Sequence, residues 1–122
     1  MKKIMILLVV VPALVLCGAS IPKKDSVRNV KTIKMLYKEY KNGEISECKY
    51  KGKTVYRAVL NAYDAASHIY DTEGNLIGTC NYAWGMPDPI CWELTDFEVI
   101  YRVRKNIWGE PGVRLKLNKK RR

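Results

Sequence analysis

Histidine occurs once in this chain, at His68. That scarcity restricts acid–base and metal chemistry at the outset. A thiol–imidazole pair would have to join His68 to Cys48, Cys80 or Cys91, and nothing around these residues resembles a nucleophile motif. Zinc needs four ligands; the cysteines and His68 lack the short paired spacings of structural zinc sites. The stretch Asp71-Thr72-Glu73-Gly74-Asn75 opens like a calcium loop but lacks the further oxygen ligands and the closing bidentate glutamate. A glycine-rich phosphate loop is missing, as is Gly-x-Ser-x-Gly. No internal repeat is visible. No catalytic residue, metal or cofactor is therefore assigned, and the chain is expected not to be an enzyme. Nor is there an apolar run long enough to span a bilayer comfortably: the longest, Ile4 to Leu16, is interrupted by Pro12.

That run reads instead as part of a secretory signal peptide over 1–20. Met1-Lys2-Lys3 is the basic start, and Cys17-Gly18-Ala19-Ser20 supplies small residues for cleavage. The expected location is secreted or periplasmic. The alternative is lipoprotein processing at Cys17, which would give a membrane-anchored protein; the large Leu16 just before it argues against this. Export favours disulfides. With Cys17 removed, Cys48, Cys80 and Cys91 remain. The preferred bond is Cys80–Cys91, closing a loop rich in turn formers and contributing roughly 3 kcal/mol by loop-closure entropy. Cys48 is then either a free thiol or the link of a dimer, although its spacing also allows pairing with Cys80 or Cys91.

A single domain is expected over 21–112, followed by a basic C-terminal tail over 113–122. Asp25-Ser26 looks like a helix start, and Val27, Val30, Ile33, Leu36 and Tyr40 recur at helical spacing, which predicts an amphipathic helix over 26–41. Strands are expected at 45–50 and 54–61 around Lys51-Gly52-Lys53. A tight hairpin is expected at 69–79, with Asp71 and Gly74 shaping its turn. In the last strand, Phe97, Val99, Tyr101 and Val103 alternate with Glu98, Arg102 and Arg104, and Ile100 breaks the pattern. The sum is an α+β fold: one N-terminal amphipathic helix packed on a four- to five-stranded antiparallel sheet, with a disulfide-closed loop.

Three segments carry a likeness to other proteins: Tyr50-Lys51-Gly52-Lys53-Thr54-Val55-Tyr56, Tyr70-Asp71-Thr72-Glu73-Gly74-Asn75-Leu76-Ile77, and Cys80. In these the chain resembles small exported proteins of Bacteroidetes-type bacteria. Those proteins pair a Tyr-x-Gly-Lys-x-Val-Tyr strand with a Tyr-Asp-x-x-Gly-Asn-x-Ile hairpin and nearby cysteines. The resemblance covers about 44–91 and the signal peptide. It implies export and no particular activity.

Charge is unevenly spread. Residues 44–98 carry nine acidic and four basic side chains, whereas 101–122 carry one acidic and nine basic. The basic end could meet an anionic surface, although a solubilising, poorly ordered terminus is the favoured reading. Export argues against nucleic acid as the main partner. The functional expectation is an exported binding module for a protein or envelope component, with Tyr82, Trp84, Met86 and Trp92 as its contact loop. Alternatives are a secreted enzyme inhibitor inserting the same loop, and a thiol-dependent enzyme using Cys48 with His68. Against the contact loop stands the expectation, favoured in so small a domain, that the loop's aromatic residues fold back onto the core.

Overall fold

A computed structural model describes residues 27–82 and 85–119. The expected signal peptide over 1–20 lies outside the described residues, as do Cys17, Trp84 and the last three residues. The described chain is α+β. Helix α1 (Val30–Glu39) comes first, followed by strands β1 (Gly43–Tyr50), β2 (Lys53–Leu60), β3 (Ser67–Tyr70) and β4 (Leu76–Cys80), a 3-10 turn at Pro89–Trp92, and β5 (Leu94–Arg102). All pairings are antiparallel, in the order β4-β3-β2-β1-β5, so the chain after β4 crosses back to place β5 beside β1. Among the described residues, no helix is long and apolar enough to cross a membrane.

Two turns follow directly from local sequence. Lys51 and Gly52 both adopt positive φ (50° and 79°), the conformation that a two-residue hairpin requires. At the β3–β4 turn, Asp71 Oδ1 accepts the backbone N–H groups of Glu73 and Asn75, each at 2.9 Å, and Gly74 takes φ 91°. These bonds hold the Asp71 carboxyl below its usual range, the backbone bond from Asn75 first among them.

The helix is shorter than its apolar periodicity predicts. Val27 and Arg28 are drawn instead into contact with the chain's far end: Val27 bridges Asn118, and the Arg28 N–H donates to the Leu117 carbonyl at 2.9 Å. The helix therefore begins after Asn29, whose side chain makes no capping bond. Tertiary pairing here outweighs helical propensity.

The sheet has two cores. On the helix side, Ile33, Leu36 and Tyr40 pack against Ile45, Tyr56, Ala58 and Ile100, all buried. Tyr40 and Tyr70 share a hydroxyl–hydroxyl hydrogen bond of 2.8 Å. Burial first, then that bond, raises the Tyr40 hydroxyl pKa well above its ordinary value. Glu47 and Glu98 face each other across β1 and β5, a like-charge pairing that would be unfavourable alone. The fully buried Arg28 side chain lies between them: Nη1 donates to Glu47 Oε1, and Nη2 lies 3.0 Å from Glu98 Oε2 without the alignment of a hydrogen bond.

The segment 113–119, expected as part of a tail, belongs to the fold. Val113 and Arg102 exchange backbone hydrogen bonds, and Lys116 N–H donates to the Ile100 carbonyl. Leu115 and Leu117 pack against the helix-side core, and Lys119 Nζ lies 3.6 Å from Glu47 Oε2. Alternating leucines and complementary charge hold this end down, which the raw count of basic residues conceals.

Strand β5 also departs from simple alternation. Register shifts between Ile45 and Ser46 and between Glu47 and Lys49 break its pairing with β1, and Asp96 sits at φ 55°. Bulges of this kind re-aim side chains. Ile100, the exception in the sequence pattern, becomes a fully buried core residue, whereas Phe97 is exposed.

Candidate functional site

The opposite face of the sheet carries the second core: Cys48, Val55, Ile69, Cys80 and Ile90. From the segment after β4 it takes Ile90, with Cys91 packed against it, and the Cys80–Cys91 disulfide pins that segment to the strand. Asp88 fastens the same loop to β4. Its Oδ2 accepts the Thr79 N–H at 2.8 Å, and its own N–H donates to the Thr79 carbonyl at 3.1 Å. The outer edge of β4 is thereby occupied at Thr79. Pro89 opens the 3-10 turn that drops Ile90 onto β4. A Cβ at Gly78 would come within 2.5 Å of Ile90 Cγ2, so a strand glycine makes room for the plug.

This scaffold displays a cluster of large side chains instead of hiding them. Tyr82 is 60% exposed, Met86 88%, Trp92 65% and Phe97 49%. Tyr82 and Trp92 meet edge to face, with ring centroids 5.5 Å apart. The expected folding of the aromatic loop back onto the core is thus not found for Tyr82. The reason is geometric: Ile90 already fills the space above Gly78, and the disulfide limits how far the loop can sink. Between the loop and β5 lies a recess of about 320 Å³ floored by Arg57, Ser67 and Cys80 and walled by Tyr82, Trp92 and Phe97. The Arg57 guanidinium lies 5.4 Å from the Phe97 ring centroid. Among the described residues Arg57 has no carboxylate partner. Glu44, the acidic residue of β1 that alternation places on the same face, is bonded instead to Arg102 Nε.

The other sequence-derived candidates fall elsewhere. Cys48 is unpaired and buried in the second core. Burial pushes its thiol up to about 11, with Arg57 pulling down and Glu47 adding slightly. His68 pairs with Ala58 in the strand register and Cys48 pairs with Val55, which places the two on opposite faces of the sheet. His68 Nδ1 instead lies 3.3 Å from Thr79 Oγ1. The Cys48–His68 pair of the thiol-enzyme reading is not formed. Among the described residues, no group of three or more histidine, cysteine or acidic side chains is placed to hold a metal ion.

Arg57 and Phe97 are the site residues that sequence reasoning missed. Arg57 interrupts an otherwise apolar strand run, Val55 to Leu60, and that interruption was the available signal. Alternation groups Phe97 with Val99, Tyr101 and Val103, and the irregularity at Asp96 breaks that grouping. No protein-family model matches the chain, and no curated protein or solved structure is found that matches it.

Proposed function

We propose that this chain is an exported, non-enzymatic binding module whose contact surface is the patch of Tyr82, Met86, Trp92 and Phe97 around the Arg57 recess. The observation that carries the reading is the exposure of these four large side chains, Phe97 on β5 and the other three on or directly after a loop fixed by both a disulfide and the Asp88–Thr79 bonds. Exposed apolar clusters of this kind mark interaction sites, and rigid presentation limits the entropy lost on binding. The Cys80–Cys91 bond also supports export to an oxidising compartment. The partner class is a protein or an envelope component. Co-sedimentation of the disulfide-intact protein with envelope fragments of the producing cell tests the reading. The Tyr82→Ala/Met86→Ala/Trp92→Ala variant should lose most of its retention; equal retention of variant and parent would remove the patch as the contact.

A second reading has its own support. Met86 is 88% exposed beside Gly85, ahead of Pro87, on the disulfide-closed loop. That is a shape suited to entering an enzyme cleft, as a secreted inhibitor does. A protease panel decides it: the absence of inhibition at micromolar protein ends this reading and leaves the first untouched.

A further inference from the structure

We propose that the Arg57 recess receives the C-terminal end of an extended polypeptide, with the terminal carboxylate on the Arg57 guanidinium and the last, apolar side chain between Phe97 and Trp92. This rests on the contact-surface reading above and names its ligand chemistry.

Four observations converge on it. The first is charge. Arg57 is half-buried and lacks a carboxylate among the described residues, while Glu44 is committed to Arg102. A partly desolvated guanidinium without a counter-ion favours an anion from outside. Contact with the Phe97 ring face leaves the planar donors of Arg57 free for a bidentate carboxylate. The second is size. At about 320 Å³ the recess is at the small end of ligand sites, which suits one side chain and its carboxylate.

The third is extent. Tyr82 and Met86 carry exposed apolar surface on the same loop, so the patch is larger than a single-residue ligand would cover. The fourth is direction. A peptide cannot add a strand along β4 at Thr79, because Asp88 already occupies both of that residue's outward backbone groups. Approach over the face, chain end first, uses the free donors that the molecule does offer.

The test uses the disulfide-intact, ¹⁵N-labelled protein and three probes: an acetylated tetrapeptide ending in phenylalanine with a free carboxylate, the same peptide as its C-terminal amide, and 3-phenylpropionate. The acid should bind about tenfold more tightly than the amide, as a charge-assisted bidentate pair implies, with shifts at the Arg57 and Trp92 side-chain N–H signals. Arg57→Gln should abolish the preference for acid over amide, and Phe97→Ala should weaken both peptides. The acid–amide comparison is made on the parent protein, so it does not depend on any variant folding. Equal affinity for acid and amide overturns the proposal. So does 3-phenylpropionate binding as tightly as the tetrapeptide, which would assign the recess to a free small acid, and so does an absence of binding at millimolar peptide. If the peptide fails while the triple loop variant still loses envelope retention, the carboxylate assignment falls and the contact surface stands. If retention is unaffected as well, both fall.

Discussion

The two faces of this sheet solve the same problem differently. On one, a helix and the 113–119 segment close over Ile33, Leu36, Ile45 and Ile100, and even an arginine is enclosed between two glutamates. On the other, a small core closed by Ile90 is held by one disulfide and the two hydrogen bonds between Asp88 and Thr79, and Tyr82, Trp92 and Phe97 stay in solvent. The difference teaches where a small domain can present apolar surface. A face stabilised by packing commits most of its large side chains to the core, whereas a face held covalently can leave more of them uncommitted.

Substitution within the packed face should cost most. Leu36→Ala removes a fully buried side chain at the helix–sheet contact and should lower unfolding free energy by about 4 kcal/mol in a denaturant titration. The neighbouring, exposed Met35→Ala should cost far less. Equal losses would mean that the helix does not dock as described.

The covalent face is challenged by Cys80→Ser/Cys91→Ser. Loop-closure entropy puts the loss at about 3 kcal/mol. Amide exchange should accelerate in 81–92 while α1 stays protected. Uniform acceleration through α1 would show that the two faces melt as one unit and would break the comparison.

A finer probe is Gly78→Ala, whose new methyl must displace Ile90 and should cost about 2 kcal/mol. Gly78→Ala/Ile90→Ala removes the contacted Cγ2 and should cost less than the two single substitutions added together. Losses that simply add would place the strain elsewhere.

The smallest expected effect is in pH dependence. The buried Cys48 thiol holds its proton up to about 11, against an ordinary value of 9.0. The folded chain keeps that proton where the unfolded chain releases it. The contribution is therefore complete below about pH 9 and declines between about 9 and 11, amounting to about 1 kcal/mol by pH 10. Tyr40, on the other face, acts in the same direction. Thermal melts from pH 8 to 10.5 should fall less steeply for Cys48→Ala than for the parent, and Tyr40→Phe should report the helix side separately. Parallel slopes for Cys48→Ala and parent would show that the thiol is not shielded as described.

What could be read from sequence was what local chemistry decides. Lys51-Gly52 and Asp71 through Gly74 specify turns through their own φ preferences and side-chain bonds, and Cys80–Cys91 was the preferred one of the pairings that spacing leaves open. Residues decided by distant partners were not legible. Asp25-Ser26 has the composition of a helix start, but Val27 and Arg28 are claimed by Asn118, Leu117 and Glu47, far along the chain. That Ile100 is buried and Phe97 exposed was not legible, because register shifts in β5 leave no mark in an alternating pattern. Half of the candidate site, Tyr82, Met86 and Trp92, was visible as a constrained loop. The other half, Arg57 and Phe97, required knowing which strands lie side by side.

The position of Asp88 has a consequence for how the molecule behaves in company. A sheet margin with unsatisfied amides is a template on which like chains polymerise, and β4 with its exposed Leu76 and Ile77 would otherwise offer a sticky one. By seating its own backbone and carboxylate at Thr79, Asp88 takes up the N–H and carbonyl of that residue, a guard at this point of the edge. Because that guard is carried on the loop that Cys80 and Cys91 close, a reducing environment would do more than loosen a contact surface: it would uncover a seed for aggregation.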